Sequence, residues 1–151
     1  MRTLTAAAAS ALCACATSGV RDAAQRQVEL ALAGMGAAAN AHDLDRHVGF
    51  YAHDASTVLI VDGEALVGWD AISVKQREWW SDGKTDVIYT LQGRPEVRVL
   101  EPDLALTTMF MNSRRTMQSG AVKEGRFAVS AVWSKRPEGW KVIYSHESSA
   151  R

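Results

Sequence analysis

The second half of the chain alternates between apolar segments and short turn sequences, and this alternation restricts the possible folds more than any other feature. The turn sequences are QGRP, EPD, QSG and RPEG, whose residue types favour tight turns. The segments around them predict strands near residues 85–92, 95–101, 104–116, 122–135 and 140–148. Strands joined by short turns pair antiparallel, so this half of the chain is predicted to form one antiparallel sheet.

The beginning of the chain is predicted to be mostly helical. Between residues 21 and 41, apolar residues recur every three or four positions, at Val28, Leu32, Met35 and Ala39. Asp43 is a candidate N-cap for a second helix from Leu44 to about Tyr51. These two helices would present an apolar face to the sheet.

A β-hairpin and a third helix are predicted between this helical region and the sheet. The segments 57–61 and 64–68 are strand-like, and the Asp-Gly pair at 62–63 between them is a strong signal for a two-residue hairpin turn. The third helix is predicted from about Trp69 to Trp80. Helices followed by a run of antiparallel strands define an α+β fold.

The first 20 residues, MRTLTAAAASALCACATSGV, differ from the rest of the chain. One Arg, an apolar stretch and small residues are typical of an export signal. The ACA site permits cleavage before Thr17, whereas LCAC resembles a lipobox that would place a lipid on Cys15. Residues 1–20 are therefore interpreted as an export signal or lipoprotein leader, and residues 21–151 as a single domain. The protein is expected to be periplasmic or secreted, either free or lipid-anchored.

The charge and cysteine content narrow the function classes. Lys+Arg and Asp+Glu number 17 each, so the chain lacks the basic surplus that nucleic-acid binding requires. No apolar run reaches the length of about 20 residues that spans a bilayer, which leaves a lipid on Cys15 as the expected route to a membrane. Both cysteines, Cys13 and Cys15, lie in the leader, so no disulfide is expected to hold the domain together.

The hairpin turns allow the two faces of the sheet to be assigned. If each turn has two residues, Phe110 lies beside Val129, and Val129 lies beside His146. One face is then predicted to be covered by the helices, and it carries Val97, Val99, Leu106, Phe110, Phe127, Val129, Trp133, Val142, Tyr144 and His146. Apolar residues also project from the opposite face, at Leu100, Met109 and Met111. An exposed apolar patch of this kind indicates a partner, here expected to be a second copy of the chain.

Three segments carry a resemblance to a known family: NAHDLDRHVGFYAHDA (40–55), PDLALTT (102–108) and GWKVIYSHES (139–148). The chain resembles the nuclear transport factor 2-like superfamily, and within it the SnoaL-like, ketosteroid-isomerase-like domains of unknown function. The resemblance implies a conical, cystatin-like fold in which three N-terminal helices pack on a strongly curved antiparallel sheet around a pocket. It also implies homodimers through the outer sheet face. Members include isomerases, cyclases and dehydratases alongside proteins that only bind or assemble, so the fold does not define the function.

The assigned faces place a polar cluster in the pocket. Tyr144, Thr108 and Asn112 are expected to surround His146, and the remaining walls are expected to come from Phe110, Trp133, Tyr51 and Trp80. His146 is the candidate general acid or base because its ordinary pKa suits neutral pH. The alternative is that His146 only closes the sheet by hydrogen bonding to Ser148 or to a helix backbone.

Other chemistry is less well supported. Ketosteroid-isomerase chemistry uses an Asp base with Tyr and protonated Asp donors, but the predicted pocket face beyond Glu101 has no carboxylate. Asp62 and Asp54 are explained by turns. Asp43 and His47 are four residues apart on a helix, yet Asp43 is better explained as a cap, and no metal or cofactor is expected.

Three functions remain open at the level of sequence. The first is a binding or accessory protein for a small hydrophobic molecule. The second is a cofactor-independent isomerase, cyclase or dehydratase that uses His146 as its acid or base, with Tyr144 positioning the substrate. The third is a dimeric assembly module whose pocket has no role.

Overall fold

The computed structural model describes residues 7–117 and 119–150, with side chains from residue 19 onward. In this part of the chain the elements are α1 (Ala7–Asn40), α2 (Leu44–Val48), β1 (Val58–Val61), β2 (Glu64–Val67), α3 (Trp69–Trp79), β3 (Ile88–Leu91), β4 (Glu96–Glu101), β5 (Leu104–Thr116), β6 (Val122–Arg136) and β7 (Gly139–Ser149). The predicted α+β class is confirmed. The third helix follows the first hairpin, as predicted, and all three helices precede the strands β3 to β7. None of the described helices is both long and apolar enough to cross a membrane.

Helix α1 begins inside the segment interpreted as a leader and runs without a break to Asn40. Residues 1–6 of that leader lie outside the described residues. The predicted apolar face is confirmed, because Val28, Leu32 and Ala39 are buried and Met35 is partly buried. This face packs toward the sheet and forms one side of the core.

Helix α2 is short and is capped as predicted. The Asp43 carboxylate accepts the backbone N–H of Arg46 at 3.1 Å. The helix ends at Val48 rather than at Tyr51, because Gly49 closes it and the chain then turns toward the sheet. Tyr51 forms an isolated parallel bridge with Val142 of β7, which holds its side chain inside the fold.

The first hairpin has the predicted two-residue turn. Val61 pairs with Glu64, and both turn residues adopt left-handed backbone angles, with φ of 49° at Asp62 and 92° at Gly63. Strand β1 pairs parallel with β7, with Leu59 opposite Ser145. The sheet therefore has the order β2-β1-β7-β6-β5-β3, while β4 pairs with another stretch of β5.

The pairing of β5 with β6 differs from the prediction by one residue. Met109, not Phe110, lies opposite Val129. The loop between the two strands causes this difference. The last paired residues of β5 and β6 are Thr116 and Val122, so the connection is longer than the two-residue turn that was assumed. Because side chains alternate between faces, a one-residue slip moves every β5 side chain to the other face.

A second displacement occurs at the last strand. The turn before β7 has two residues as predicted, and Trp133 pairs with Val142. The register then shifts, because Val132 pairs with Tyr144 and leaves Ile143 as an extra residue in a β-bulge. Beyond the bulge, even-numbered residues of β7 project outward and odd-numbered residues project toward the helices.

The main core lies between the inner face of the sheet and the helices. Its largest fully buried side chains are Trp133, Leu59, Ile72, Val28 and Val142. The core fills only part of this space. A cavity remains between α1, α2 and the inner face of β4 to β7.

Candidate functional site

The principal cavity has a volume of about 1030 Å³ and is mainly lined by apolar and aromatic side chains. Leu32, Met35 and Ala39 of α1 form one wall. The sheet contributes Val97, Met109, Met111, Phe127, Val129, Ala131, Trp133 and Val142. This size and composition are typical of a site for a small organic molecule.

One end of the cavity is polar. Glu147 and Ser145 of β7, Tyr51, Tyr89 of β3 and Arg115 of β5 meet there. Burial raises the pKa of the Glu147 carboxyl to about 7, and the charge of Asp62 acts in the same direction. A carboxyl group with this pKa can both give and take a proton at neutral pH.

The charge of the same carboxyl group raises the pKa values of the two tyrosines at this end. Burial raises the pKa of Tyr51, and the charge of Glu147 raises it further, while the neighbouring Ser145 hydroxyl acts in the opposite direction. Burial also raises the pKa of Tyr89, and Glu147 again contributes. Both phenols therefore stay protonated and can act as hydrogen-bond donors toward a ligand.

Aromatic rings form a continuous wall around the polar end. The ring centroid of His47 lies 6.2 Å from that of Tyr51 and 4.7 Å from that of Trp80. Trp80 lies 6.3 Å from Tyr89, which lies 6.0 Å from Phe127 in an edge-to-face contact. We call these five residues the aromatic wall, and all of them line the cavity.

His47 belongs to this wall as a neutral ring. Its Nδ1 lies 3.3 Å from the carbonyl oxygen of Met35, which can only accept, so the proton is on Nδ1. Burial lowers the pKa of His47 to about 4, although the Met35 contact opposes this. The imidazole is therefore uncharged at neutral pH.

A buried hydroxyl at the polar end lies beside the Tyr51 hydroxyl but forms no hydrogen bond of ordinary geometry. The Oγ of Ser145 is the one inaccessible side-chain oxygen or nitrogen without a hydrogen bond within residues 19–117 and 119–150, and Ser145 is only 2% exposed. Thr107 provides a contrast, because its equally buried Oγ1 accepts the Nε1–H of Trp133 at 2.9 Å. Unpaired buried hydroxyls are unfavourable, so the Oγ of Ser145 is a free hydrogen-bonding group at this end of the cavity.

Two matched substitutions test this difference. Ser145→Ala should raise the free energy of unfolding of the ligand-free protein by about 1 kcal/mol, because it removes an unpaired polar group. Thr107→Val should lower it by about 2 kcal/mol, because the Trp133 N–H loses its acceptor. Urea unfolding measures both. Equal destabilisation by the two changes would show that Ser145 has a partner in the folded protein.

A smaller pocket of about 270 Å³ adjoins the polar end. It shares Val61, Tyr89, Arg115, Phe127 and Glu147 with the large cavity. Glu147 thus forms part of the wall between the two spaces.

The structure divides the predicted site residues into two groups. Tyr51, Trp80 and Trp133 line the cavity. The other five lie on strand positions that face outward: Thr108, Phe110, Asn112, Tyr144 and His146. The one-residue slip in β5 and the bulge in β7 account for this correction.

His146 is the most consequential member of the outward group. It is exposed and pairs with Ser130, so its expected position in the cavity is wrong. Phe110 and Tyr144 are 57% and 38% exposed on the same side of the sheet. The slip in β5 also corrects the predicted outer patch of Leu100, Met109 and Met111. Met109 and Met111 line the cavity, and of the three only Leu100 is exposed.

Sequence reasoning missed Glu147, the carboxyl group that the sheet contributes to the cavity. The prediction that this face carries no carboxylate beyond Glu101 was wrong because the bulge at Ile143 exchanges His146 for Glu147. The only signal in the sequence is the run Val142-Ile143-Tyr144, in which the alternation of apolar and polar residues fails. The expected turn roles are confirmed, because Asp54 accepts the N–H and Oγ–H of Ser56, both at 2.8 Å.

Comparison with known proteins identifies the family and supports the fold. Residues 28–151 match the family model described as a SnoaL-like domain. No curated protein shows significant similarity to the chain.

Several solved structures share the fold. A candidate dehydratase of the nuclear transport factor 2-like family from Streptomyces avermitilis has 19% identity and a TM-score of 0.73 over 86% of this chain and 98% of that protein. A ketosteroid isomerase-like protein from Erwinia carotovora atroseptica has 21% identity and a TM-score of 0.67 over 84% and 96%. A protein with a cystatin-like fold from Novosphingobium aromaticivorans has 17% identity and a TM-score of 0.71 over 88% and 86%. At these identities the likeness establishes the fold.

Proposed function

Since the chain belongs to the SnoaL-like domain family, we propose that it binds a small, largely apolar molecule inside the cavity. The observation that carries this proposal is a large apolar cavity that ends in a group of polar side chains, including the unpaired hydroxyl of Ser145. Apolar walls supply affinity and a few polar groups fix orientation.

A cavity-filling substitution tests the binding function. Met111→Trp would fill part of the cavity, whereas Phe110→Trp adds the same ring on the outer face of the same strand. The neutral dye Nile red, followed by fluorescence, should bind the wild type and the Phe110 variant equally and bind the Met111 variant at least about 10-fold more weakly. Equal binding by the two variants would exclude the cavity as the binding site.

Proton-transfer catalysis is the second candidate, and the position of Glu147 favours it. An ionised Glu147 could remove a proton from the carbon beside a substrate carbonyl and return it to another carbon of the same molecule. The hydroxyls of Tyr51 and Tyr89 could donate hydrogen bonds to the oxygen that becomes negative during this transfer. Glu147 therefore replaces His146 as the candidate acid or base.

Isomerisation of an apolar β,γ-unsaturated ketone provides the test of this second function. Glu147→Gln should lower its rate by about 10²–10⁴-fold, as expected when a general base is removed. His146→Ala, on the outer face, should leave the rate unchanged. The opposite pattern would restore His146 as the acid or base, and the absence of turnover in the wild type would leave binding alone.

We also propose a homodimer through the outer sheet face. With Met109 and Met111 directed into the cavity, the exposed apolar residues of this face include Phe110, Tyr144 and Leu100. Phe110→Lys should produce monomers in light scattering, whereas Val74→Lys, at an exposed apolar position on α3, should not. A monomeric wild type would refute the proposal.

Export remains a proposal that rests on the leader sequence. Mass spectrometry of the protein expressed with its own first residues distinguishes the possibilities. An N-terminus at Thr17 would indicate a free exported protein, and a lipidated Cys15 an anchored one. Retention of Met1 would refute export.

A further inference from the structure

The Glu147 carboxyl lacks a counter-ion. None of the ion pairs formed within the described part of the chain includes it. A carboxylate removed from water without a positive partner is unfavourable, and a ligand that brought a positive charge would relieve this cost.

The charged and titratable groups that face Glu147 do not supply that charge. They come from each element packed around it: Tyr51, Asp62, Tyr89, Arg115, Lys123 and Glu124. The Nη2 of Arg115 donates to Thr85 Oγ1 at 2.8 Å, and its Nε lies 3.8 Å from an Asp86 oxygen. Arg115 is thus directed toward the loop before β3, while Asp62 adds negative charge beside Glu147.

The surroundings of Glu147 suit a cation in two further ways. The rings of Tyr51, Trp80 and Tyr89 line the same cavity as Glu147, and ring faces attract ammonium groups. The unpaired Oγ of Ser145, two residues before Glu147 on the inward side of β7, can accept an ammonium N–H. This second feature is independent of the charge of Glu147.

We propose that the polar end of the cavity receives the ammonium group of an apolar amine, with Glu147 as its counter-ion and the aromatic wall around it. This inference rests on the proposed binding function and specifies its ligand class. The apolar part of the amine occupies the larger space lined by Met109, Met111 and Val129.

Three probes with one apolar body test the inference on the full-length protein: adamantane-methylamine, adamantane-methanol and adamantane-carboxylate. Calorimetry at about pH 8 should show the amine binding about 10-fold more tightly than the alcohol, and the carboxylate binding most weakly. Glu147→Gln should remove the preference for the amine while retaining affinity for the alcohol. Glu64→Gln, at an exposed carboxylate on neighbouring β2, should retain the preference.

The pH dependence gives a second measurement that needs no variant. Lowering the pH to about 5.5 protonates Glu147 and should abolish the preference for the amine, since the amine itself stays charged throughout. If the alcohol binds as tightly as the amine at about pH 8, the inference is overturned but the proposed binding function is not. Failure of all three probes to bind would overturn both the inference and the proposed binding function.

Discussion

Replacing Trp133 by alanine is expected to lower the free energy of unfolding by about 4 kcal/mol. Trp133 is fully buried at the centre of the core and also forms part of the cavity wall. Its removal enlarges a space that already exists, so neighbouring side chains cannot collapse to fill it. Since small domains are stable by only about 5–15 kcal/mol, much of the protein should be unfolded at mildly elevated temperature.

Trp133→Phe separates packing from hydrogen bonding at the same position. Phenylalanine retains most of the buried ring but removes the Nε1–H that Thr107 accepts. The expected loss is about 1–2 kcal/mol, well below that of the alanine variant. Urea unfolding with circular dichroism measures both variants. Similar losses in the two would show that the hydrogen bond, not the ring, dominates.

Glu147→Gln is expected to stabilise the protein at about pH 8 by up to about 3 kcal/mol and to change little at about pH 4. In the unfolded chain Glu147 releases its proton near its ordinary pKa of 4.5, whereas in the folded chain it does so only near about 7. Across that window the unfolded state binds fewer protons, so the stability of the wild type falls as the pH rises. Glutamine carries no charge and removes this cost.

His47 makes the stability change with pH in the opposite direction. Its pKa is about 4 in the folded chain and 6.5 ordinarily, so stability due to His47 is lost as the pH falls from 6.5 toward about 4. In the wild type the two slopes largely cancel between about pH 4.5 and 6.5. Urea unfolding across this range should therefore give a flat wild-type profile, whereas Glu147→Gln should lose stability on acidification. Identical profiles would contradict the role of Glu147, and Glu64→Gln is the control.

The secondary structure could be predicted because its signals are local. The Asp-Gly pair at 62–63 specified its hairpin, Asp43 specified its cap, and the spacing of Val28 and Leu32 specified the inner face of α1. Each depends on neighbouring residues and on backbone preferences that act over one or two turns.

The site was harder to predict from the sequence because it depends on the strand register, which local signals do not specify. Trp133 was assigned correctly because it lies between the tight turn and the bulge, where the two-residue turn still sets the pairing. Beyond Ile143 the bulge reverses the faces, so His146 and Glu147 exchange places. Tyr51 and Trp80 lie outside the strands β5 to β7, so their assignment did not depend on the register of these strands.

The position of β7 between β1 and β6 has a consequence for how the molecule folds. The first hairpin and the β5–β6 pair are complete by residue 136, yet they do not contact each other through the sheet until residues 139–149 lie between them. During synthesis the two parts cannot join through the sheet before β7 leaves the ribosome, so each is expected to keep an open strand edge until then. Long-range pairing of this kind slows folding, so the rate at which the native sheet appears should be governed by the docking of its final strand.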